Sequence, residues 1–254
     1  RMESDSTATD GAPGVIDGDS AAPLLLVCDH ASRALPARYG TLGLEESELQ
    51  RHIAWDIGAA EVTRRLAALL DAPAVLSGAS RLLVDCNRGI DDPTFICQVS
   101  DGTVVPGNRS LDAAEIRHRI QSYYEPYHRA IAAALARAQR HVPAPALVSI
   151  HSFTPVMRGF QRPWHVGILW GKDPRLAEPL MRHLGEDPAL VVGDNQPYSG
   201  RSNLGGTRQR HGAANGLPHV LIELRQDLID TYHGAEAWAD GVSAALRRLL
   251  AQHS

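Results

Sequence analysis

Four apolar runs in this sequence end in residues able to bind or transfer something. LLLVC precedes Asp29 and His30, LLV precedes Asp85, Asn87 and Arg88, LVSI precedes His151 and Ser152, and LI precedes Glu223 and Arg225. Each run suits a buried strand, and ligands of open α/β sheets bind beyond the carboxyl ends of the strands. A lone histidine at a strand end is by default a satisfied structural group. Four charged ends on one edge are different, because each unpaired buried charge costs several kcal/mol. A metal ion with an acidic substrate would compensate the collection. Two imidazoles plus one carboxylate are the usual protein ligands of a catalytic zinc, whose bound water has a pKa lowered to about 7. A further carboxylate must then move that water's proton to the leaving amine. Glu223 suits the task because it projects from a strand and not from a solvated helix; its plain alternative is a salt bridge to Arg225.

Such a collection needs a sheet to hold it. Residues 23–30 form a short continuous apolar run, as in a parallel strand covered on both faces. Apolar residues recur at helical spacing over 45–70, most clearly over 59–70. APAVLSG predicts a weak second strand and SRLLVDCNR a third. Residues 93–110 keep no period and predict a long irregular excursion, often a functional feature. Residues 111–140 predict a long helix with Asp112 as N-cap, an apolar face of Ile116, Ile120, Tyr124, Tyr127 and Ile131, and a kink or split at Pro126. Strands ALVSIH and HVGILW, a helix over 174–184, strand ALVVGD, a Gly-, Asn- and Arg-rich loop over 195–216, strand HVLIELR and a helix over 235–252 complete the chain. The alternation predicts an α/β fold class, a three-layer α/β/α arrangement with a mostly parallel mixed sheet.

The 254 residues suit one α/β domain, and a hydrophobic content of 44% is enough for a full core. A net charge of −4 argues against a nucleic-acid partner. No apolar run approaches the roughly 20 residues that span a bilayer. Residues 1–20 carry acids and small residues where a signal peptide would have a basic start and an apolar block. They are expected to be a disordered N-terminal tail ahead of a single catalytic domain over 21–254, with a cytoplasmic location. Cys28, Cys86 and Cys97 form no CxxC pair, and Cys28 and Cys86 sit in apolar runs as small hydrophobes.

The order of these motifs resembles that of the zinc carboxypeptidase superfamily: a histidine after a strand, a V-D-x-N-R element, an H-S-aromatic histidine and a late E-L-R. Here they are His30, Val84 to Arg88, His151-Ser152-Phe153 and Glu223-Leu224-Arg225. More closely, the sequence resembles the N-formylglutamate amidohydrolase family in CDHASRALP, HIAWDIGA, SRLLVDCNR, PYHRAI, SIHSFTP, RPWHVGIL, GDNQPYSG and GLPHVLIELRQDL. The resemblance implies a fold like that of zinc exopeptidases and phosphorylase/hydrolase-like proteins, and a Zn2+ cofactor, although imidazole and carboxylate ligands also accept other divalent metals. It implies His30 and His151 as metal ligands, Glu223 as general base, and Asn87 with Arg88 as holders of a substrate carboxylate. The superfamily's acidic ligand, three residues after the first histidine, is replaced here by Arg33, which cannot bind a metal. Asp56 is the first choice to replace it, its plain alternative being a helix N-cap. Asp29 and Asp85 are the reserves, as ligands or as acceptors that orient an imidazole.

The implied substrate is N-formyl-L-glutamate, a small anionic N-acyl amino acid cleaved to formate and L-glutamate in histidine catabolism. Its second carboxylate requires a second cation, for which Arg81, Arg162, Arg201, Arg208 and Arg210 are candidates. Asn195, after a strand, and Arg225 join the expected substrate-binding set, while His128 and His165 are assigned no catalytic role. The competing readings are a zinc amidase or peptidase for another N-acyl amino acid, and a metal- or ligand-binding relative without turnover. Either a monomer or a homodimer is compatible with the sequence.

Overall fold

The computed structural model describes residues 10–201 and 205–251. In chain order its strands are β1 (Gly14–Ile16), β2 (Leu24–Cys28), β3 (Ala74–Leu76), β4 (Val99–Ser100), β5 (Thr103–Val104), β6 (Ala146–Phe153), β7 (Val156–Met157), β8 (Phe160–Gln161), β9 (Val166–Leu169), β10 (Val192–Asp194) and β11 (His219–Arg225). The α-helices are α1 (Glu46–Leu49), α2 (Ala59–Leu70), α3 (Ala113–Arg119), α4 (Glu125–Ala138), α5 (Ala177–Leu184) and α6 (Tyr232–Ala251). None of the described helices is long and apolar enough to cross a membrane.

Seven strands form one mixed sheet in the order β1-β3-β2-β6-β11-β9-β10. Strands β3, β2, β6 and β11 run parallel, whereas β1 is antiparallel to β3 and β9 is antiparallel to β11. Strand alternation sends Leu24, Leu26 and Cys28 of β2 into one apolar cluster, and Leu25 and Val27 into another. Helices α2, α5 and α6 cover the first face, with Val62, Leu66, Leu180, Val242 and Leu246 among their contacts. Helix α4 covers the second face through Tyr127, Ile131 and Leu135. The result is the expected α/β/α sandwich, buried on both sides of its central strands.

Three local expectations change. The run SRLLVDCNR is a series of turns and not a strand. Leu82, Leu83 and Val84 are buried in the second cluster, and the Ser80 hydroxyl donates to the Ala54 carbonyl, so a side chain and local turns satisfy this backbone instead of a ladder. A buried apolar run of that length does not by itself distinguish the two. The stretch expected to be tail is ordered in part, because Gly14–Ile16 pair with Ala74–Leu76 at the sheet edge; residues 1–9 lie outside the described residues. The 93–110 excursion folds as the β4–β5 hairpin followed by a short 3-10 turn, tied down by Asn108, whose Nδ2 donates to the carbonyls of Leu82 and Cys97 at 2.7 Å each.

Asp112 caps α3 as expected, accepting from the Glu115 N–H at 2.8 Å. The break in the long helix is a π turn over Ile120–Tyr124, immediately before Pro126. Proline lacks the N–H that would continue regular bonding, and the widened turn absorbs the loss.

Candidate metal centre and active site

The parallel pairing of β2, β6 and β11 brings the polar strand ends together. In the β6–β11 ladder Glu223 is the direct partner of His151, so both side chains leave the same face of the sheet. Val27 pairs with Ser149, and Asp29 and His151 each follow two residues later on that face. His30 comes next along the chain. Asp56 arrives from the turn before α2, whose N-cap is Gly58; the N-cap reading of Asp56 is therefore replaced. Asp85 arrives from the buried turn that follows Leu82 and Leu83.

One nitrogen of each imidazole faces a shared carboxylate oxygen. Asp56 Oδ2 lies 2.8 Å from His151 Nδ1 and 3.3 Å from His30 Nδ1. The imidazole rings stand edge to face, with centroids 4.9 Å apart. The opposite nitrogens each donate to a carboxylate of their own: His30 Nε2 to Asp85 Oδ1 and His151 Nε2 to Asp29 Oδ2, both at 2.7 Å. Occupied Nε2 atoms fix the ring orientation and leave Nδ1 for the centre. Ligand atoms of His30, Asp56 and His151 all lie within 4.8 Å of one another, and all three residues are buried. Two imidazoles and a carboxylate converging in this way suit a divalent metal ion. Beside them Glu223 Oε2 is buried without a hydrogen-bond partner among the described residues, a position that needs a guest with a proton to share.

The outer residues hold this arrangement in place. Asp29 accepts from the Tyr127 hydroxyl at 3.0 Å, from the Ser149 hydroxyl at 3.3 Å and from the Thr207 hydroxyl. Asp85 accepts from Arg81 Nη2 and from the Asn87 N–H, each at 2.9 Å. Arg81 Nη1 also reaches Asp56 Oδ1 at 3.4 Å, and the Ser152 N–H donates to Asp56 Oδ2 at 3.3 Å.

The charges sort the carboxyls into two kinds. Burial by itself would raise Asp29, but the hydrogen bond and charge of His151, followed by His30, bring its pKa to about 2. Asp85 and Asp56 face the same cost of burial and are likewise held low, mainly by His30 with Arg81 or His151. Glu223 is moved the other way: burial, with Asp56 adding, pushes it up to about 7 against the pull of His151 and His30. A carboxyl that titrates near neutrality beside three ionised ones is arranged for proton transfer. The buried thiols of Cys28 and Cys86 are pushed up by burial and neighbouring carboxylates, which argues against a thiolate nucleophile.

The expected substrate-binding residues fare differently. Asn87 is buried, and its Oδ1 accepts from the Thr207 N–H at 3.1 Å, fastening the 205–212 segment to the turn that carries Asp85. Arg88 Nε lies 3.9 Å from Asp85 Oδ2, and Arg81 serves Asp85 and Asp56. Asn195 turns away from a binding role, since its Oδ1 accepts from the N–H groups of Trp170 and Gly200 and its Nδ2 donates to Asp194. Arg225 pairs with Asp227 at 2.8 Å. The sequence does not single out Tyr127 or Thr207 for the site; Tyr127 reads as an ordinary apolar helix position and Thr207 as a loop residue, and only packing brings them to Asp29.

The sequence pattern that describes the N-formylglutamate amidohydrolase family matches residues 22–230. The structure is similar to the crystal structure of a gene product from Agrobacterium tumefaciens, with 37% identity, coverage of 95% of this chain and 96% of that one, and a TM-score of 0.90. It also shares the fold of the N-formylglutamate amidohydrolase from Ralstonia eutropha, with 21% identity, coverage of 94% and 97%, and a TM-score of 0.70. No curated protein matches the sequence.

Proposed function

The chain belongs to the N-formylglutamate amidohydrolase family, and from that premise we propose that it is a zinc-dependent amidohydrolase, a single catalytic domain that splits N-formyl-L-glutamate into formate and L-glutamate. The observation that carries this reading is Glu223, a buried carboxyl with one unpartnered oxygen, in register with His151 and with its pKa raised to about 7.

His30 and His151, through Nδ1, and Asp56, through Oδ2, would hold the zinc. When bound there, zinc supplies Lewis acidity, polarising an acyl carbonyl and lowering the pKa of water. Asp29 and Asp85 keep the Nε2 protons of the imidazoles engaged, so the Nδ1 lone pairs remain available. Glu223 takes a proton from the attacking water as its oxygen bonds to the formyl carbon. The same carboxyl gives that proton to the amide nitrogen as the C–N bond breaks, leaving formate and a free amine.

The test is formate release from N-formyl-L-glutamate by the zinc-loaded protein, before and after chelation. Chelator-sensitive release that returns on adding zinc supports the reading. Turnover of other N-acyl amino acids in its place would move the substrate within the same reaction class. Zinc binding with no hydrolysis of any of them would reject catalysis.

A further inference from the structure

We infer that Arg162, assisted by Tyr198, receives a carboxylate of the substrate's amino-acid half and makes the enzyme select N-acyl amino acids over simple formamides. The inference rests on the reading of the centre as an amide hydrolase, but its observations are separate. Arg162 is only 8% exposed, and among the described residues no carboxylate lies within ion-pairing distance of it. Its Nη1 donates to the Thr154 carbonyl and the Tyr198 hydroxyl, at 3.2 Å each. Its guanidinium lies over the rings of Phe153 and Tyr198, 5.7 and 4.9 Å from their centroids. All of these partners are neutral, and they engage one nitrogen of a group with five N–H donors. A buried guanidinium in that state lacks a counter-charge, which a carboxylate supplies bidentately.

Its position makes the anion a substrate. Phe153 lies two residues beyond His151 on β6, hence on the same face and about 7 Å further along. Arg162 stacked on Phe153 therefore stands just past the His151–Glu223 pair at the open end of the sheet. Burial, then the charge of Glu223 with Asp56 adding, raises the phenol pKa of Tyr198 against the pull of Arg162.

The other candidate arginines differ in partner, exposure or place. Arg81 and Arg225 are paired with aspartates, and Arg88 lies near Asp85. Arg201 and Arg210 are exposed, so water balances their charge. Arg208 is buried and also has a neutral partner, the Gly200 carbonyl, but its guanidinium packs against Gly171 just past the end of β9, beside the start of β11 and away from Glu223.

Zinc-loaded wild type, Arg162→Met and Arg162→Lys are compared for turnover of N-formyl-L-glutamate and, by calorimetry, for binding of L-glutamate. In Arg162→Met, KM is expected to rise about 30-fold or more while kcat changes less than about threefold, with L-glutamate affinity falling in step. Arg162→Lys should recover part of the loss, as a point charge without the fork. Unchanged KM and unchanged L-glutamate binding in Arg162→Met overturn the anchor; if that variant does not fold, the same result in Arg162→Gln, which also removes the charge, does so. A wild type that binds L-glutamate through Arg162 but releases no formate rejects the assigned reaction and keeps the anchor. A wild type that neither turns over nor binds overturns both.

Discussion

Replacing Glu223 by glutamine keeps the side chain's volume and removes its capacity to accept a proton. With His30, Asp56 and His151 untouched, Glu223→Gln is expected to lower kcat by roughly 10²–10⁴-fold. Metal content measured on the same sample should stay near that of the wild type; a kcat within threefold of wild type would remove Glu223 from the proton path. Asp29 and Asp85 act one layer out, each holding an imidazole by its Nε2. Asn in place of either leaves a neutral acceptor of similar shape. Asp29→Asn should therefore weaken metal affinity or activity by about 10–100-fold, read by competition with a chromogenic chelator. An affinity unchanged by this substitution would mean that packing by itself orients His151.

At the scale of the element, the centre depends on how α2 starts. Gly58 has φ of +80°, and a Cβ there would meet the Ile229 carbonyl oxygen at 2.2 Å. Asp56 lies two residues earlier, so a shift of this turn that relieves the clash would move the shared carboxylate. Gly58→Ala is expected to cost at least about 2 kcal/mol in urea unfolding and to lower activity further than the stability loss explains. A variant with wild-type stability would show that the turn can rearrange at no cost. Another such element is the 205–212 segment, fastened by Asn87 to Thr207 and by Thr207 to Asp29. Tyr127 of α4 completes that attachment from the helical layer, so two layers of the sandwich meet at one aspartate.

Across the whole molecule, stability should depend on both metal and acid. A ligand that binds only the folded state adds about 4 kcal/mol at 1,000 times its dissociation constant. Chelation is expected to lower Tm, and zinc to restore it; a Tm indifferent to both would argue against a folded-state metal site. Acid acts through His128 of α4 and His211, which stack with Nδ1 and Nε2 2.9 Å apart. Burial, with the charge of Arg210, lowers their pKa values to about 3 and about 4. The unfolded chain binds protons that the folded pair refuses, so their contribution is complete above about pH 6.5 and is lost as pH falls toward 4. His211→Gln should lose about 2 kcal/mol less than wild type between pH 7.5 and 4.5, measured by denaturant unfolding at both values. Equal losses would mean that His211 takes up its proton over the same pH range in the folded as in the unfolded chain.

What the sequence determined by itself was the set of elements with strong local signals and the chemistry at their ends. Buried parallel strands read as continuous apolar runs, so β2, β6 and β11 and their terminal His30, His151 and Glu223 were legible, as was the three-layer architecture. The order of those motifs also indicated the family. Residues whose role depends on a partner far along the chain were decided only by the tertiary structure. Asp56 became the shared carboxylate, and Asp29 and Asp85 the orienting ones, through ring geometry that no spacing encodes. Arg81, Asn195 and Arg225 carried the right groups for an anion, but contacts as near as Asp227 and as distant as Trp170 engage those groups elsewhere. A side chain's type is local, while the balance of its charge depends on everything packed around it. That is why the sequence could name the arginines, and only the fold could show that, among the described residues, the hydrogen-bond partners of the buried Arg162 side chain are neutral.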